Sequence, residues 1–125
     1  MSKNATFVSL FCGCGGMDLG FEQAGYEGLG AFDNDRGVIE VHSANLKGPS
    51  HVCDLNLNSA MWPHGARPDV VVAGPPCQGF STLGKRDVSD PRNSLLVAAA
   101  KHAVRIQPTA IVIENVSGVV SGRHA

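Results

Sequence analysis

Residues 69–81, DVVVAGPPCQGFS, allow few folds. Val70, Val71, Val72 and Ala73 form an unbroken apolar run, mostly β-branched. That is how a strand buried on both faces of a parallel sheet reads. Gly74, Pro75 and Pro76 end it, because a proline has no N–H with which to continue a ladder. Cys77 comes next, so a thiol stands just past the carboxyl end of a buried strand. In open parallel α/β sheets, ligands bind at that end. A free cysteine is often inert core. Here the rigid Pro-Pro pair before it, and the largely polar or small Gln78, Gly79, Phe80 and Ser81 after it, favour a site.

The rest of the chain alternates strand and helix around this stretch. Residues 6–11 (TFVSLF) read as strand one, residues 12–16 (CGCGG) as a glycine turn, and residues 17–24 as a helix with Met17, Phe21 and Ala24 on one face. Residues 28–32 read as strand two, ending at Asp33-Asn34-Asp35, and Asp35 caps a helix over 36–45. Val52-Cys53 is a short third strand, and 56–67 is irregular, with Trp62 and Pro63 packing or capping. Strand four covers 69–73, and a loop with Lys85, Arg86 and Arg92 covers 78–92. A helix over 94–107 follows, capped by Asn93 and stopped by Pro108. Its predicted apolar face is Leu95, Leu96, Ala99, Ala103, Val104 and Ile106. Ala110, Ile111, Val112 and Ile113 are strand five, with Glu114 at its carboxyl end. Strict alternation predicts one α/β domain, a parallel sheet flanked by helices.

Strand, glycine turn, helix is the opening of a nucleotide-binding fold, in which backbone amides approach a ligand near a helix N-terminus. The dinucleotide fingerprint would start at Gly13 and Gly15, but its third glycine is replaced by Asp18, which counts against a nicotinamide-dependent dehydrogenase. Asp33 lies about twenty residues past the turn, where a carboxylate can accept from both ribose hydroxyls; the simpler reading is a helix cap. On position alone, the turn, Asp33 and Asp54 should line one pocket with Pro76 and Leu95 at the carboxyl ends of strands one to four.

Net charge is −1, so bulk electrostatics do not attract phosphate, and any nucleic-acid contact must be local. The basic cluster after Cys77 is the place for it. Cys12, Cys14, Cys53 and Cys77 include no paired C-x-x-C spacing, and His42, His51, His64, His102 and His124 are scattered. No metal site is therefore expected, and the thiols read as reduced. No stretch is apolar for long enough to span a bilayer, and residues 1–5 lack a signal-peptide core, so the expected setting is cytoplasmic.

Residues 74–81 (GPPCQGFS) resemble the catalytic motif of the DNA (cytosine-5) methyltransferases, whose proline-cysteine pair carries the nucleophile. Phe11, Gly13, Gly15 and Gly16, followed by Asp18, Gly20 and Phe21, are similar to that family's first motif, which binds the methionine part of S-adenosylmethionine. Glu114-Asn115-Val116 resembles its second catalytic motif. The resemblance implies a Rossmann-like S-adenosylmethionine-dependent methyltransferase fold, with residues 1–125 as the amino-terminal part of the catalytic domain, truncated after strand five. It implies Cys77 and Glu114 as catalytic residues. Phe11, Gly13, Gly15, Gly16, Asp33, Asp54, Leu55, Pro76 and Leu95 would hold the cofactor, with Asp54 receiving the adenine amino group and Leu55 packing on the ring. Gln78, Ser81, Lys85, Arg86 and Arg92 would contact nucleic acid.

The implied activity is methyl transfer to carbon 5 of cytosine in double-stranded DNA, on a flipped-out base, in a prokaryotic restriction-modification setting. A transfer-RNA branch of the family has phenylalanine and threonine after the cysteine, so Gln78 favours DNA. The remaining alternative is a non-catalytic cofactor-binding fragment. Family members continue into a target-recognition domain and further motifs. Strand five should accordingly be an uncovered apolar edge, which residues 117–125 are too short to cover. The isolated chain is expected to be inactive and poorly soluble, and to gain order from a complementary carboxyl-terminal polypeptide.

Overall fold

The computed structural model describes residues 3–56, 67–76 and 94–115. The expectations for Trp62, Pro63, Cys77, Gln78, Ser81, Lys85, Arg86, Arg92, Asn93 and residues 116–125 lie outside the described residues. The elements are β1 (Thr6–Leu10), α1 (Gly16–Gln23), β2 (Glu27–Asp33), α2 (Arg36–Asn45), β3 (Ser50–Val52), β4 (Val70–Ala73), α3 (Ser94–Ile106) and β5 (Ala110–Ile113). All pairings are parallel, in the order β3-β2-β1-β4-β5. The chain winds outward from β1 in one direction through β2 and β3, then returns to its other side at β4. That reversal opens a crevice at the carboxyl ends of β1 and β4.

Val70–Ala73 is buried throughout, as a strand covered on both faces must be. In register with β1, it divides its side chains between two layers. Val71 and Ala73, with Val8 and Leu10, pack against Ala99, Ala103 and Ile106 of α3. Val70 and Val72, with Phe7, pack against Met17 and Phe21 of α1. Asp35 caps α2 as expected, accepting from the amides of Gly37 and Val38 at 2.8 and 3.2 Å.

Several expected boundaries and faces need correction. Strand one stops at Leu10 because Phe11 adopts φ 51°, a left-handed conformation that cannot stay in a ladder. Strand three is Ser50–Val52, set by its pairing with Ala31, Phe32 and Asp33, and Cys53 lies just past it. Ala24 is the exposed C-cap of α1 rather than part of its packed face. Val104 does not belong to the apolar face of α3 and is 67% exposed. Ala99, His102, Ala103 and Ile106 are buried there, at the i, i+3, i+4, i+7 spacing of one helical face. His102 earns its place by donating from Nε2 to the Leu55 carbonyl at 2.8 Å.

Among the described residues β5 is the outermost strand on its side of the sheet, and it is wholly apolar, as its sequence suggests. Its register puts Ile111 and Ile113 on the α3 side and Val112 on the α1 side, and all three are exposed, Ile111 by 42% and Val112 by 43%. No helix among the described residues is long and apolar enough to cross a membrane.

Leu10 is fully buried between β4 and α3, so Leu10→Ala should lower unfolding free energy by about 2–5 kcal/mol in urea titrations. The open β5 edge should make the 125-residue chain associate as concentration rises. Val112→Lys should reduce that association in sedimentation experiments, and an unchanged profile would exclude β5 as the contact.

Candidate active site

The site begins where the ladder runs out. The Cys12 amide donates to the Phe32 carbonyl at 3.1 Å, and the Gly74 amide to the Leu10 carbonyl at 3.1 Å, so the turns after β1 and β4 leave the sheet side by side. Phe11 and Gly13 are both left-handed, and the Gly15 amide closes the turn on the Cys12 carbonyl at 3.1 Å. Asp33, at the end of β2, holds this turn from the side. Its Oδ2 accepts from the Gly13 amide at 2.9 Å and its Oδ1 from the Asp35 amide at 3.0 Å. Each oxygen keeps a further lone pair for a ligand hydroxyl.

Two adjoining cavities open above these turns. One, of about 180 Å³, is lined by Phe11, Gly13, Asp33, Asn34, Cys53, Asp54, Leu55, Gly74, Pro76 and Leu95. The other, of about 270 Å³, shares Phe11, Gly13 and Gly74, and adds Ser9, Cys12, Met17, Asp18 and Glu114 among its walls. Larger hollows at the opposite edge of the sheet, around Tyr26 and Lys47 or around Lys3 and Arg67, contain none of the expected site residues. Glu114 is exposed and stands one residue past β5, its amide donating to the Ala73 carbonyl at 2.9 Å. It therefore faces both solvent and cavity. Asp54 is exposed and its carboxylate accepts from the Asn56 amide at 2.9 Å, while Leu55 is 2% exposed and belongs to the core as well as the cavity wall.

The fold thus brings together Phe11, Gly13, Asp33, Asp54, Leu55, Pro76 and Leu95 in one cavity, with Glu114 in the next. Gly15 and Gly16 line neither. Gly15 is buried beneath the turn, at φ 96°, and Gly16 opens α1 on the exposed side. Sequence reasoning missed Asn34, Cys53 and Gly74 as wall residues; no residue type there announces a ligand.

It also missed a buried polar cluster behind the turn. Asp18, 2% exposed, accepts from Ser9 Oγ and from His42 Nε2, each at 2.7 Å. Cys12, Asp18 and His42 bring ligand-type atoms within 4.8 Å of one another. Those donor types could bind zinc, but here Asp18 is bonded to His42 and to Ser9 instead, with one hydrogen bond on each Asp18 oxygen. The Cys12 thiol is pushed up to about 12 from 9.0 by burial and then by the Asp18 and Asp33 carboxylates. Burial, then Asp54, raises Cys53 also. Both thiols are protonated at neutral pH, and a protonated thiol is a poor nucleophile.

The raised value for Cys12 means that the folded chain holds this proton more tightly than the unfolded one. Its contribution to stability is complete below pH 9 and disappears as pH approaches 12. Iodoacetamide at pH 8 should therefore alkylate exposed Cys14 well before Cys12, with the two resolved by tandem mass spectrometry. Equal rates at that pH would contradict the environment described for Cys12.

Comparison with known proteins places this geometry in a family. The C-5 cytosine-specific DNA methylase family matches residues 5–125. Type II methyltransferase M.HgiDI of Herpetosiphon aurantiacus is 42% identical over 87% of this chain and 36% of its own length. M.HindV of Haemophilus influenzae is 40% identical over 90% of this chain and 38% of its own. The chain spans little more than a third of these two relatives, but 88% of the shorter M.HgiGI of Herpetosiphon aurantiacus, which is 41% identical to it. Among solved structures, an E. coli prophage protein assigned as a DNA modification methyltransferase superposes with TM-score 0.80 at 28% identity, covering 97% of this chain and 34% of that one. The S. pombe Dnmt2 methyltransferase, 18% identical with TM-score 0.68, shares the fold, covering 98% of this chain and 38% of that one. With a family match across nearly its whole length, on a doubly wound sheet whose cavities gather the expected residues, the chain belongs to the C-5 cytosine-specific DNA methylases.

Proposed function

We propose that this chain carries the cofactor-binding and nucleophilic part of a DNA cytosine-5 methyltransferase of the type II restriction-modification kind, acting in a prokaryotic cytoplasm. The observation that carries the reading is the cavity uniting the glycine turn, Asp33, Asp54, Leu55, Pro76 and Leu95 at one end of the sheet. Its chemistry suits S-adenosylmethionine. Asp33 retains acceptor capacity for two ribose hydroxyls, and Asp54 can accept from an exocyclic amine. Phe11, Leu55, Pro76 and Leu95 offer apolar surface for a purine. A Cβ on Gly13 would meet nothing within 4 Å, so the turn presents open backbone to the cavity. The bound cofactor supplies an electrophilic methyl group.

The residues of the chain do the rest. Cys77, one residue beyond cavity-lining Pro76, adds as thiolate to carbon 6 of a flipped cytosine. The electron pair displaced from the carbon 5–carbon 6 bond makes carbon 5 an enamine nucleophile. Glu114, with its carboxyl protonated, donates its O–H to ring nitrogen 3 as negative charge develops there. After transfer a base takes the carbon-5 proton, and the returning pair expels the thiolate. Lys85, Arg86 and Arg92 contact phosphates, and Gln78 and Ser81 contact the base or its neighbours. The elements that read a DNA sequence would come from polypeptide beyond residue 125, whether continuous with the chain or separate. The open faces of β5 are where such a polypeptide would dock.

The test is a duplex carrying 5-fluorocytosine, incubated with cofactor and with the chain supplemented by a carboxyl-terminal segment from a relative. A covalent adduct at Cys77 should form and persist, because fluorine cannot leave as a proton does. Cys77→Ala should abolish it while S-adenosylmethionine still binds, and trapping by that variant would reject Cys77 as nucleophile. Glu114→Gln should slow transfer by on the order of 10²–10³-fold with the flipped base still bound. The chain alone should give no multiple turnover with labelled cofactor.

A further inference from the structure

Gly15 is the point at which the glycine turn rests on the body of the protein. A Cβ there would lie 2.2 Å from Leu46 Cδ1 and 2.7 Å from His42 Cδ2, and φ is 96°. The turn is therefore seated directly on side chains of α2 and the residue that follows it. His42 cannot adjust freely beneath it, because its Nε2 donates to Asp18 Oδ2 at 2.7 Å. Asp18 is pinned in turn by Ser9 Oγ at 2.7 Å. β1, α1 and α2 meet at one buried carboxylate under the turn whose upper side forms the cavity wall. His42 is 2% exposed and lines neither cavity. Its Nδ1 is buried without a hydrogen-bond partner. An apolar side chain would fill such a position without leaving a polar atom unsatisfied. A histidine held there at that disadvantage is explained by what Nε2 does.

We propose that His42 is a positioning residue for cofactor binding: through its hydrogen bond to Asp18 it holds Gly15, and with it the Gly13 amide, in the conformation that receives S-adenosylmethionine. The inference rests on the cofactor reading above. The geometry separates donor from packing. The side-chain amide of glutamine can put an N–H close to where Nε2 stands, whereas leucine fills the space and leaves Asp18 Oδ2 buried and unpaired.

The full chain and its His42→Gln and His42→Leu variants would be compared by calorimetric titration with S-adenosylhomocysteine, below the melting temperature of each. Amide hydrogen exchange at Gly13 and Gly15 would be measured without ligand. His42→Leu should raise Kd at least tenfold and speed exchange at both glycines by a similar factor. His42→Gln should stay within about threefold of the parent in both. His42→Phe, which keeps a ring and loses the Nε2 donor, replaces His42→Leu if that variant does not fold, and should shift both readouts the same way. A folded His42→Leu with parental Kd and parental exchange would overturn the proposal, as would a glutamine variant as impaired as the leucine one. If the parent binds no cofactor, the cofactor reading fails, and the exchange rates alone decide whether His42 holds the turn.

Discussion

The parallel pairing of residues 7–10 with 70–73 is the constraint on which the rest of the structure depends. Both segments are almost wholly buried, so their backbone groups must be satisfied within the sheet and their side chains divided between two helical layers. Such a pair leaves no room for function along its length. Polar chemistry is displaced to the carboxyl ends, where Leu10 passes into a left-handed turn and Ala73 into Gly-Pro-Pro. The cavities open at this boundary because the two chains leave the sheet next to each other there.

What stands behind that boundary is unusually polar. The cluster of Ser9, Asp18 and His42 replaces apolar packing between α1, α2 and β1 with two short hydrogen bonds to one carboxylate. A buried carboxylate is costly without partners, and Asp18 has one on each oxygen. It also lies in the first turn of α1, where a negative charge is favourable. The arrangement joins three elements at a single point, which simple packing of Met17 and Phe21 on the sheet would not do.

The sheet is asymmetric in how its two ends are treated. β3, at one end, is short, with His51 and Val52 exposed but α2 packed nearby. β5, at the other, is wholly apolar and exposed along its length. The described residues thus form a core complete around β1 and β4 and unfinished beyond β5. A chain with this surface has reason to associate.

The order and type of every element among the described residues were legible in the sequence. Residues 70–73 could only be a central strand, and the glycine turn, Asp35 cap and Pro108 stop follow from backbone chemistry that acts locally. The grouping of Phe11, Gly13, Asp33 and Pro76 was legible for the same reason: in an alternating parallel sheet, the ends of strands share an edge. What could not be read was anything that depends on the angle at which helices settle on the sheet. Val104 and His102 differ from Ala103 by only one residue in sequence, yet one is exposed and the other two are buried. In the sequence Asp18 is the residue that breaks the dinucleotide fingerprint, and His42 is one of five scattered histidines. Only the packing of α2 beside α1, 24 residues away in sequence, makes them a bonded pair. Local chemistry determined which elements form and where they stop; tertiary packing decided which polar groups lie buried together, because that contact exists only once two helices share one face of the sheet.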